Sequence, residues 1–371
     1  MAPTLQPNRS TPRADGVSAD TLGAAEADES IVCREVDAGD AAAWTAFVAS
    51  CPDANLGHLW AWRHVVENAY RKRCRYLAAV AGERWVGVLP LVHMRGLFAD
   101  GRLVSLPFLD QAGVLATSPA AAACLSAAAT RLAKSEKARG VELRALAKEG
   151  DPPSERVTLV LALPATADDL WKSFKPKVRN QVRKSEKSGL RTSRQDATRC
   201  GEFYRVFCEN MRDLGSPVHA RSFLESVFEA FGEAASLYLT EDASGRVVGG
   251  AVALRDGPTV TVPWASSLRR VFAWCPNHCL YWRVIQDAIA HGATRFDFGR
   301  SWIDAGTYRF KTQWGAVDRA LAWTASDADG KSTALESVRP RDHGLAVRIW
   351  TRLPLVVANT VGPLVRRQLS N

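Results

Sequence analysis

The stretch that decides the fold is residues 237–254, which read LYLTEDASGRVVGGAVAL. The pattern is an apolar run, a polar turn that closes at Gly245 and a second apolar run, and it predicts a β-hairpin. The glycines within the second run mark a bulge or a close backbone approach. Residues 76–91 read YLAAVAGERWVGVLPL and repeat this pattern around Gly82. After each hairpin we predict a strand, a helix, a glycine and an apolar strand, so the chain is predicted to contain one α/β unit twice.

Helices are predicted before and after each hairpin. Their predicted ranges are 40–50 (with Asp40 as the N-cap), 58–69, 118–139, 168–174, 177–188, 201–212, 221–231 and 277–291. Gly140 and Gly292 are predicted to stop the last helix of each unit in the left-handed conformation. This element order is that of the GNAT acyltransferase fold. The predicted class is therefore α/β (α+β), with two tandem GNAT-like domains, each a mixed, mostly antiparallel sheet flanked by helices.

Composition divides the chain into four predicted parts. Residues 1–30 contain no apolar run and are predicted to be a disordered tail without a signal peptide. A polar, proline-rich joint at 150–153 separates a first domain, residues 31–152, from a second domain, residues 153–330. Residues 340–371 are predicted to form a basic amphipathic helical segment.

The 371-residue chain has a formal net charge of +9, and its positive charge is concentrated in two places. Residues 172–194 hold nine basic side chains against one acid, and residues 343–371 hold four arginines and no acid. Such basic regions favour a partner with phosphate groups. The sequence contains no run of the ~20 apolar residues that a membrane-spanning helix needs. We therefore expect a cytoplasmic protein. Its C-terminal segment either lies on the inner face of the cytoplasmic membrane or packs on the first domain.

Four residues in three motifs are candidates for substrate binding. Arg179 and Arg183 lie one turn apart on a predicted helix that Pro176 opens. Two guanidinium groups at this spacing can hold phosphate oxygens, and a solvated basic face is the alternative. Arg212 lies in NMRDLG at a predicted helix end, and Trp264 lies on the predicted strand VPWASS.

The most specific stretch contains FDFGRS and, five residues later, GTYRFKTQWG. Asp297 lies within the first motif on an apolar strand, where a carboxylate needs a cationic partner. Arg300 is the candidate partner, and Lys311 lies among the aromatic residues of the second motif. These three are the candidate catalytic residues, and a structural Asp–Arg pair with a surface lysine is the alternative. Two aromatic candidates for substrate binding accompany them: Tyr308 and Trp314.

The sequence lacks the motifs of several other enzyme classes. It contains no G-x-S-x-G elbow, P-loop or G-x-G-x-x-G motif. The eight cysteines are scattered, so we predict free, mostly buried thiols and no metal site. The strand of Trp264 is not followed by the glycine-rich pyrophosphate loop of an ordinary acyl-CoA site. We therefore expect catalysis by orientation and electrostatic stabilisation of acyl transfer, with no tightly bound cofactor.

The order of the basic helix, NMRDLG, FDFGRS and GTYRFKTQWG resembles that of the Fem-type (FemAB-like) aminoacyltransferases. The match is closest to the FemAB-related branch associated with exosortase (PEP-CTERM) and exopolysaccharide loci, and it covers about residues 31–323. It implies an acceptor groove between two GNAT-like domains and transfer of an amino acid from aminoacyl-tRNA to an amine of a peptidoglycan precursor. Lys311 matches the family's motif lysine near the tRNA acceptor end. Asp110 is a candidate for an acidic groove residue of the family.

Three functional hypotheses follow. The first is a FemAB-type N-acyltransferase or aminoacyltransferase that acts on an amine of a phosphate-bearing peptidoglycan or exopolysaccharide precursor, with aminoacyl-tRNA or acyl-CoA as donor. The second is an acyl-CoA-dependent GNAT N-acetyltransferase that acts on an amino sugar. The third is a non-catalytic adaptor at the membrane face of a polysaccharide assembly.

Overall fold

The computed structural model describes residues 30–95, 101–335 and 344–369. The disordered tail predicted for the N-terminus lies outside these residues, apart from Ser30. From Ile31 onwards the chain forms one compact unit. In the described ranges, no helix is both long and apolar enough to cross a membrane.

The elements of the first half confirm the predicted hairpin. They are β1 Ile31–Glu35, α1 Ala41–Ser50, α2 Ala61–Tyr70, β2 Leu77–Ala81, β3 Arg84–Leu89, β4 Leu91–Met94, β5 Arg102–Ser105, β6 Leu115–Ala116, α3 Pro119–Ser135 and β7 Gly140–Leu146. Strands β2 and β3 pair antiparallel around Gly82. The predicted stop at Gly140 is wrong, because α3 ends earlier and Lys137 takes the positive φ of 52°. Gly140 instead starts β7, where a Cβ atom would collide with the carbonyl of Ser326.

The second half follows its predicted order closely. Its elements are β8 Arg156–Ala162, α4 Ala167–Ser173, α5 Pro176–Lys187, β9 Arg191–Gln195, α6 Cys200–Asp213, α7 Arg221–Phe231, β10 Ala235–Glu241, β11 Val247–Asp256, β12 Thr259–Ser267, α8 Pro276–Ala290, β13 Arg295–Trp302, α9 Gly306–Thr312, β14 Val317–Asp327, β15 Ser332–Thr333, α10 Gly344–Trp350 and α11 Leu355–Arg366. Pro176 opens α5, and Gly292 follows α8 with a φ of 78°, both as predicted.

The strands form two sheets. The first has the order β1-β2-β3-β6, and the second has the order β4-β5-β7-β14-β8-β13-β12-β11-β10-β9, with β15 beside β14. Among the strands of the described residues, all pairs are antiparallel except β5 with β7 and β12 with β13. Because β14 pairs with β7 and also with β8, the second sheet runs through both halves of the chain. The domain boundary at 150–153 stays a prediction and falls between two strands of this shared sheet.

A common apolar core also joins the halves. Helix α2 packs against α7, and the Trp62 and Trp264 rings lie 6.4 Å apart in an edge-on arrangement. Trp62 is 1% exposed and Trp264 is 7% exposed. Aromatic side chains contribute large apolar areas to a core, so this contact holds the two halves in a fixed relation.

Two local features of the first half differ from the sequence expectation. Asp40 is the N-cap residue of α1, as predicted, but its side chain makes no cap hydrogen bond to that helix. Its carboxylate instead pairs with Arg34 and accepts the Asp37 backbone N–H, while Asp37 caps the short turn before α1 by accepting the Gly39 amide. Cys33 and Cys124, predicted to be free thiols, form a disulfide between β1 and α3. Their separation of 91 residues hides this pairing in the sequence, because only the packing of α3 on β1 brings them together.

The predicted C-terminal segment forms two helices within its described residues, which begin at Gly344. Their inner sides contact the end of α6 and the loop after it, where Val347 lies against Gly215 and Gly362 lies against Val218. Arg366 donates to Nε2 of His219 at 3.0 Å. The segment therefore packs back on the body of the protein, while its outer side remains exposed.

Candidate active site

The site begins where two parallel strands separate. Strands β12 and β13 pair only over Thr259–Thr261 and Arg295–Asp297, and β13 then continues along β8. The diverging ends open onto a cavity of about 1760 Å³. Seven residues of its wall carry the argument below: Asp110, Arg144, Trp264, Asp297, Arg300, Lys311 and Arg366.

A bulge in β13 shapes the cavity wall. The pairing of β13 with β8 shifts register between Asp297 and Arg300, and Gly299 between them has a φ of 73°. A left-handed conformation costs an L residue about 1–2 kcal/mol, whereas glycine adopts it freely. The Asp297 Oδ1 atom accepts the Gly299 amide and the Thr158 hydroxyl, both at 2.7 Å. The sequence FDFGRS thus fixes this turn of the strand through its glycine and its aspartate.

Lys311 is buried against the bulge. It lies on α9 and is only 7% exposed. Its Nζ atom donates to the carbonyl oxygens of Gly299 and Arg300, each at 2.8 Å. A third N–H of the ammonium group has no partner among the described residues, and the side chain lines the cavity. The amine is therefore fixed in position with one donor left for a ligand.

Burial also changes the acidity of this amine. It lowers the pKa of Lys311 to about 8, although the nearby carboxylates of Asp110 and Asp297 oppose the effect. Loss of hydration disfavours the charged form of a lysine. Lys311 is consequently mostly protonated at pH 7 and titrates just above it.

Asp297 is a carboxylate of this cavity wall with a shifted pKa. Burial raises its pKa, and the Asp110 charge raises it further, while the Thr158 and Gly299 hydrogen bonds and the Lys311 charge oppose the rise. A raised pKa makes a carboxylate a better proton acceptor at neutral pH. Asp297 and Lys311 both line the cavity, and the charge of each influences the pKa of the other.

Asp110 brings the first half of the chain into the site. Its Oδ2 atom accepts the backbone N–H of Arg300 at 3.2 Å, and its Oδ1 atom lies 3.3 Å from the Arg300 Nε atom. The loop that carries Asp110 contains Leu106 and Phe108 at positive φ values of 48° and 76°. The loop therefore has an uncommon backbone path. It positions the Asp110 carboxylate against the β13 bulge.

An arginine cluster surrounds Trp323 beside this carboxylate. The guanidinium carbons of Arg144, Arg156 and Arg300 lie 4.1, 4.3 and 4.9 Å from the ring centroid. The Trp323 Nε1 atom donates to the Asp110 carbonyl at 3.0 Å. Burial and the neighbouring arginines lower the pKa of Arg156 to about 10. The three guanidinium groups thus all lie within cation–π distance of one aromatic ring.

A further arginine reaches the cavity from the C-terminus. Burial lowers the pKa of Arg366 to about 10, and the charges of Arg300 and Arg144 contribute to the shift. Arg144, Arg300 and Arg366 all line the cavity. Guanidinium groups gathered in this way suit an anionic ligand such as a phosphate.

The structure brings together only some of the candidate residues. Asp297, Arg300, Lys311 and Trp264 line the cavity. Tyr308 and Trp314 do not. Trp314 lies in the core, 1% exposed and in contact with Phe174 and His278, and the half-buried Tyr308 packs against the same core. The catalytic and binding roles of all these residues stay predictions.

The three arginines that are candidates for substrate binding lie away from the cavity. Arg179 and Arg183 are on α5, and the Arg183 guanidinium lies 5.5 Å from the Trp171 ring centroid. Arg212 forms a salt bridge with Asp213 at 2.7 Å and faces the C-terminal segment. A ligand confined to the cavity would not touch α5, so any role for α5 concerns a larger, extended partner.

Sequence reasoning missed Arg144 and Arg366. One signal for Arg144 was present, because Glu142 and Arg144 are two apart on a strand and therefore share a face. They form a salt bridge at 2.7 Å. Arg366 had no signal, because its contacts with Phe108 and His219 bridge more than a hundred residues. Among the described residues, no group of three His, Cys, Asp or Glu side chains is arranged to hold a metal.

Comparison with known proteins identifies the class. Residues 172–312 match the acetyltransferase (GNAT) domain. This range contains the α5 helix, the splayed strands β12 and β13, and Lys311. The chain thus carries an acyltransferase domain of the GNAT type, and its fold is the predicted mixed α/β arrangement. A search of curated proteins gives no match to the sequence.

Solved structures extend the likeness over both halves. FemX superposes with a TM-score of 0.60 at 16% identity, covering 78% of this chain and 96% of FemX. L-PGS from Bacillus licheniformis superposes with a TM-score of 0.53 at 12% identity, covering 86% of this chain and 98% of that one. The C-terminal domain of a putative lysylphosphatidylglycerol synthetase from Agrobacterium fabrum gives 0.52 at 10% identity, covering 79% and 94%. The described fold, and not only the matched domain, is therefore shared with these proteins.

Proposed function

We propose that this chain transfers an aminoacyl or acyl group to an amine of a phosphate-bearing cell-envelope precursor. The observation that carries the proposal is the buried Lys311 ammonium, which two carbonyls of the β13 bulge hold at 2.8 Å beside the cavity. The likeness to FemX and the motif resemblance support a Fem-type reaction. They also support a peptidoglycan or exopolysaccharide precursor as acceptor.

The chemistry is a nucleophilic acyl transfer. The acceptor amine attacks the carbonyl carbon of the donor, a C–N bond forms, and the C–O or C–S bond to the leaving group breaks. Lys311 donates its third N–H to the oxyanion that develops on this carbonyl. Asp297 accepts the proton that the attacking amine loses. Asp297 then returns this proton to the leaving oxygen or sulfur, so that charge is balanced over the cycle and the carboxylate is regenerated.

The arginine wall supports a phosphate-bearing acceptor. Arg144, Arg300 and Arg366 line the cavity together with Lys311. Their positive charges are partly balanced by Glu142 and Asp110. A phosphate bound against these guanidinium groups would orient the acceptor for attack, which is how positioning contributes to rate.

The donor is the less constrained partner. The exposed basic surface of α5, with Arg179 and Arg183, lies outside the cavity and supports a large polyanion such as aminoacyl-tRNA. The start of α8 is poorly suited to a pyrophosphate, because Pro276 lacks an N–H group and Cys275 before it is left-handed. This favours aminoacyl-tRNA as the donor, and with that donor we expect the reaction to take place in the cytoplasm.

A second candidate function is an acyl-CoA-dependent N-acetyltransferase acting on an amino sugar. The observation in its favour is the match of residues 172–312 to the acetyltransferase (GNAT) domain. In this case the acyl group would enter between β12 and β13, with Trp264 beside it. A tight complex with acetyl-CoA in calorimetry would favour this candidate over the first.

The test uses purified full-length protein with each donor and each acceptor in turn. Labelled aminoacyl-tRNA or acetyl-CoA is incubated with a nucleotide-linked peptidoglycan precursor or an amino sugar, and amide formation is followed by mass spectrometry. The proposal predicts a new amide from aminoacyl-tRNA. Amide formation from acetyl-CoA alone would support the second candidate. Absence of any amide with all pairs would refute both candidates and leave the non-catalytic adaptor.

A further inference from the structure

An exposed apolar surface lies on the C-terminal helices, away from the proposed chemistry. We call it the C-terminal apolar face, and it consists of Leu345, Ile349, Val356, Val357, Val361, Leu364 and Leu369. The most exposed are Val356 at 77% and Leu345 at 74%. Scattered apolar residues are normal on a protein surface, but a set that follows two consecutive helices indicates an interaction site.

The helical spacing shows that this face is distinct from the packed face. On α11, Val356 and Leu364 lie eight residues apart, so their side chains project within about 80° of each other around the helix axis. Ala358 and Gly362 form the opposite side, which is buried. A helix that is apolar on both sides requires cover on both sides, and the body of the protein covers only one.

The charges beside this face indicate what covers it. Arg348, Arg352 and Arg367 are exposed on the same segment. Residues 344–369 contain no Asp or Glu. A symmetric contact with a second copy would bring these arginines against each other, which is unfavourable. Anionic lipid headgroups satisfy the arginines while the acyl chains accept the apolar side chains.

We propose that the C-terminal apolar face docks on an anionic lipid surface. Helix α11 spans twelve residues, so it fits an orientation along the interface and is too short to cross the bilayer. This proposal goes beyond the acyl-transfer function and stands independently of it.

The opposite side of α11 fixes the docked face relative to the cavity. Arg366 donates to Nε2 of His219, and the Nδ1 atom of this ring lies 2.6 Å from the Tyr70 hydroxyl. Because Tyr70 is on α2, the contact ties the C-terminus to the first half as well as the second. A membrane bound by the outer side would therefore have a defined orientation to the cavity wall that Arg366 lines.

The test is vesicle co-sedimentation of the full-length protein. Vesicles that contain equal molar amounts of phosphatidylglycerol and phosphatidylcholine are compared with vesicles of phosphatidylcholine alone. Both are tested at low and at high salt. The wild type should partition onto the anionic vesicles at least tenfold more strongly, and salt should weaken the binding. Equal binding to both vesicle types, or none to either, would overturn the proposal.

Two variants and a matched control locate the surface. Val356→Asp with Leu364→Asp, and separately Arg348→Gln with Arg352→Gln, should each reduce partitioning about tenfold or more. Val32→Asp with Val317→Asp alters two exposed valines elsewhere, at 57% and 67% exposure, and should leave binding unchanged. Circular dichroism confirms folding of each variant. Unchanged partitioning of both test variants would overturn the proposal, as would a wild-type dimer that Val356→Asp with Leu364→Asp dissociates.

Discussion

Asp110 accepts a hydrogen bond from the backbone N–H of Arg300 at 3.2 Å, across 190 residues of sequence. The carbonyl of the same Arg300 accepts a hydrogen bond from Lys311. One peptide segment thus connects a carboxylate of the first half to the buried amine of the second. Residues of both halves therefore form the cavity wall, and a substitution of Asp110 should change the pKa of Lys311.

The first prediction concerns this coupling. Asp110→Asn keeps the size of the side chain and an oxygen that can accept the Arg300 amide, but it removes a charge that raises the pKa of Lys311. The pKa of Lys311, about 8 in the wild type, should fall. If protonated Lys311 is the active form, the rate is high below this pKa and declines as pH rises through it. The pH–rate profile of Asp110→Asn should therefore decline at lower pH than that of the wild type.

An exposed aspartate provides the control for this prediction. Asp329 pairs with Lys134 at the surface, where both side chains are largely exposed. Asp329→Asn should leave the alkaline decline unchanged. An identical decline in the wild type and Asp110→Asn would contradict the proposed coupling.

A second prediction tests Asp297 as proton acceptor. In Asp297→Asn the Oδ1 atom can still accept the Thr158 hydroxyl and the Gly299 amide, so the melting temperature should change little. Loss of the acceptor should lower kcat by about 10²–10⁴-fold. Asp256 also lines the cavity, and Asp256→Asn should retain most of the activity. Full activity of Asp297→Asn in the amide-formation assay would refute the role.

The third prediction separates backbone strain from function. Gly299→Ala and Gly257→Ala both place a side chain at a positive φ, 73° and 52°. Each should lower the free energy of unfolding by about 1–2 kcal/mol in urea titrations. Only Gly299→Ala should also lower kcat, because the Gly299 carbonyl holds Lys311. Equal losses of activity in the two variants would show that the bulge has no special role.

Helix α5 carries the fourth prediction. Replacing Arg179 and Arg183 together by Gln should raise KM for aminoacyl-tRNA severalfold and leave kcat unchanged, because these side chains lie outside the cavity. The effect should shrink at high salt, where screening already weakens such contacts. The control replaces Lys137 and Lys331 together by Gln. Both lysines are exposed; Lys137 is in the first half of the chain and Lys331 lies next to β15. An unchanged KM would indicate that α5 is a solvated basic face.

Local sequence signals account for what could be predicted. The hairpins at residues 76–91 and 237–254 follow from alternating runs and turn glycines. Asp297, Arg300 and Lys311 converge because they lie within fifteen residues on a strand and the next helix. Over such a distance the chain has few alternative paths, so motif spacing is sufficient to place the residues near one another.

Long-range packing accounts for what could not be predicted. Strand β14 pairs with both β7 and β8, and this pairing brings Trp323 into contact with Arg144. No local sequence pattern predicts that arrangement. Trp314 shows how packing separates neighbours in sequence. It lies three residues after Lys311 and is a candidate for substrate binding in the sequence, but its ring packs in the core between Phe174 and His278.

The central claim is that the Lys311 ammonium stabilises acyl transfer in this cavity. The most direct test is the single-turnover rate of amide formation from aminoacyl-tRNA by Lys311→Ala, with Lys331→Ala as a matched exposed control. Removing an oxyanion donor typically lowers the rate by about 10²–10³-fold, and we predict a loss of this size for Lys311→Ala with wild-type activity for Lys331→Ala. A folded Lys311→Ala protein that transfers at the wild-type rate would contradict the account.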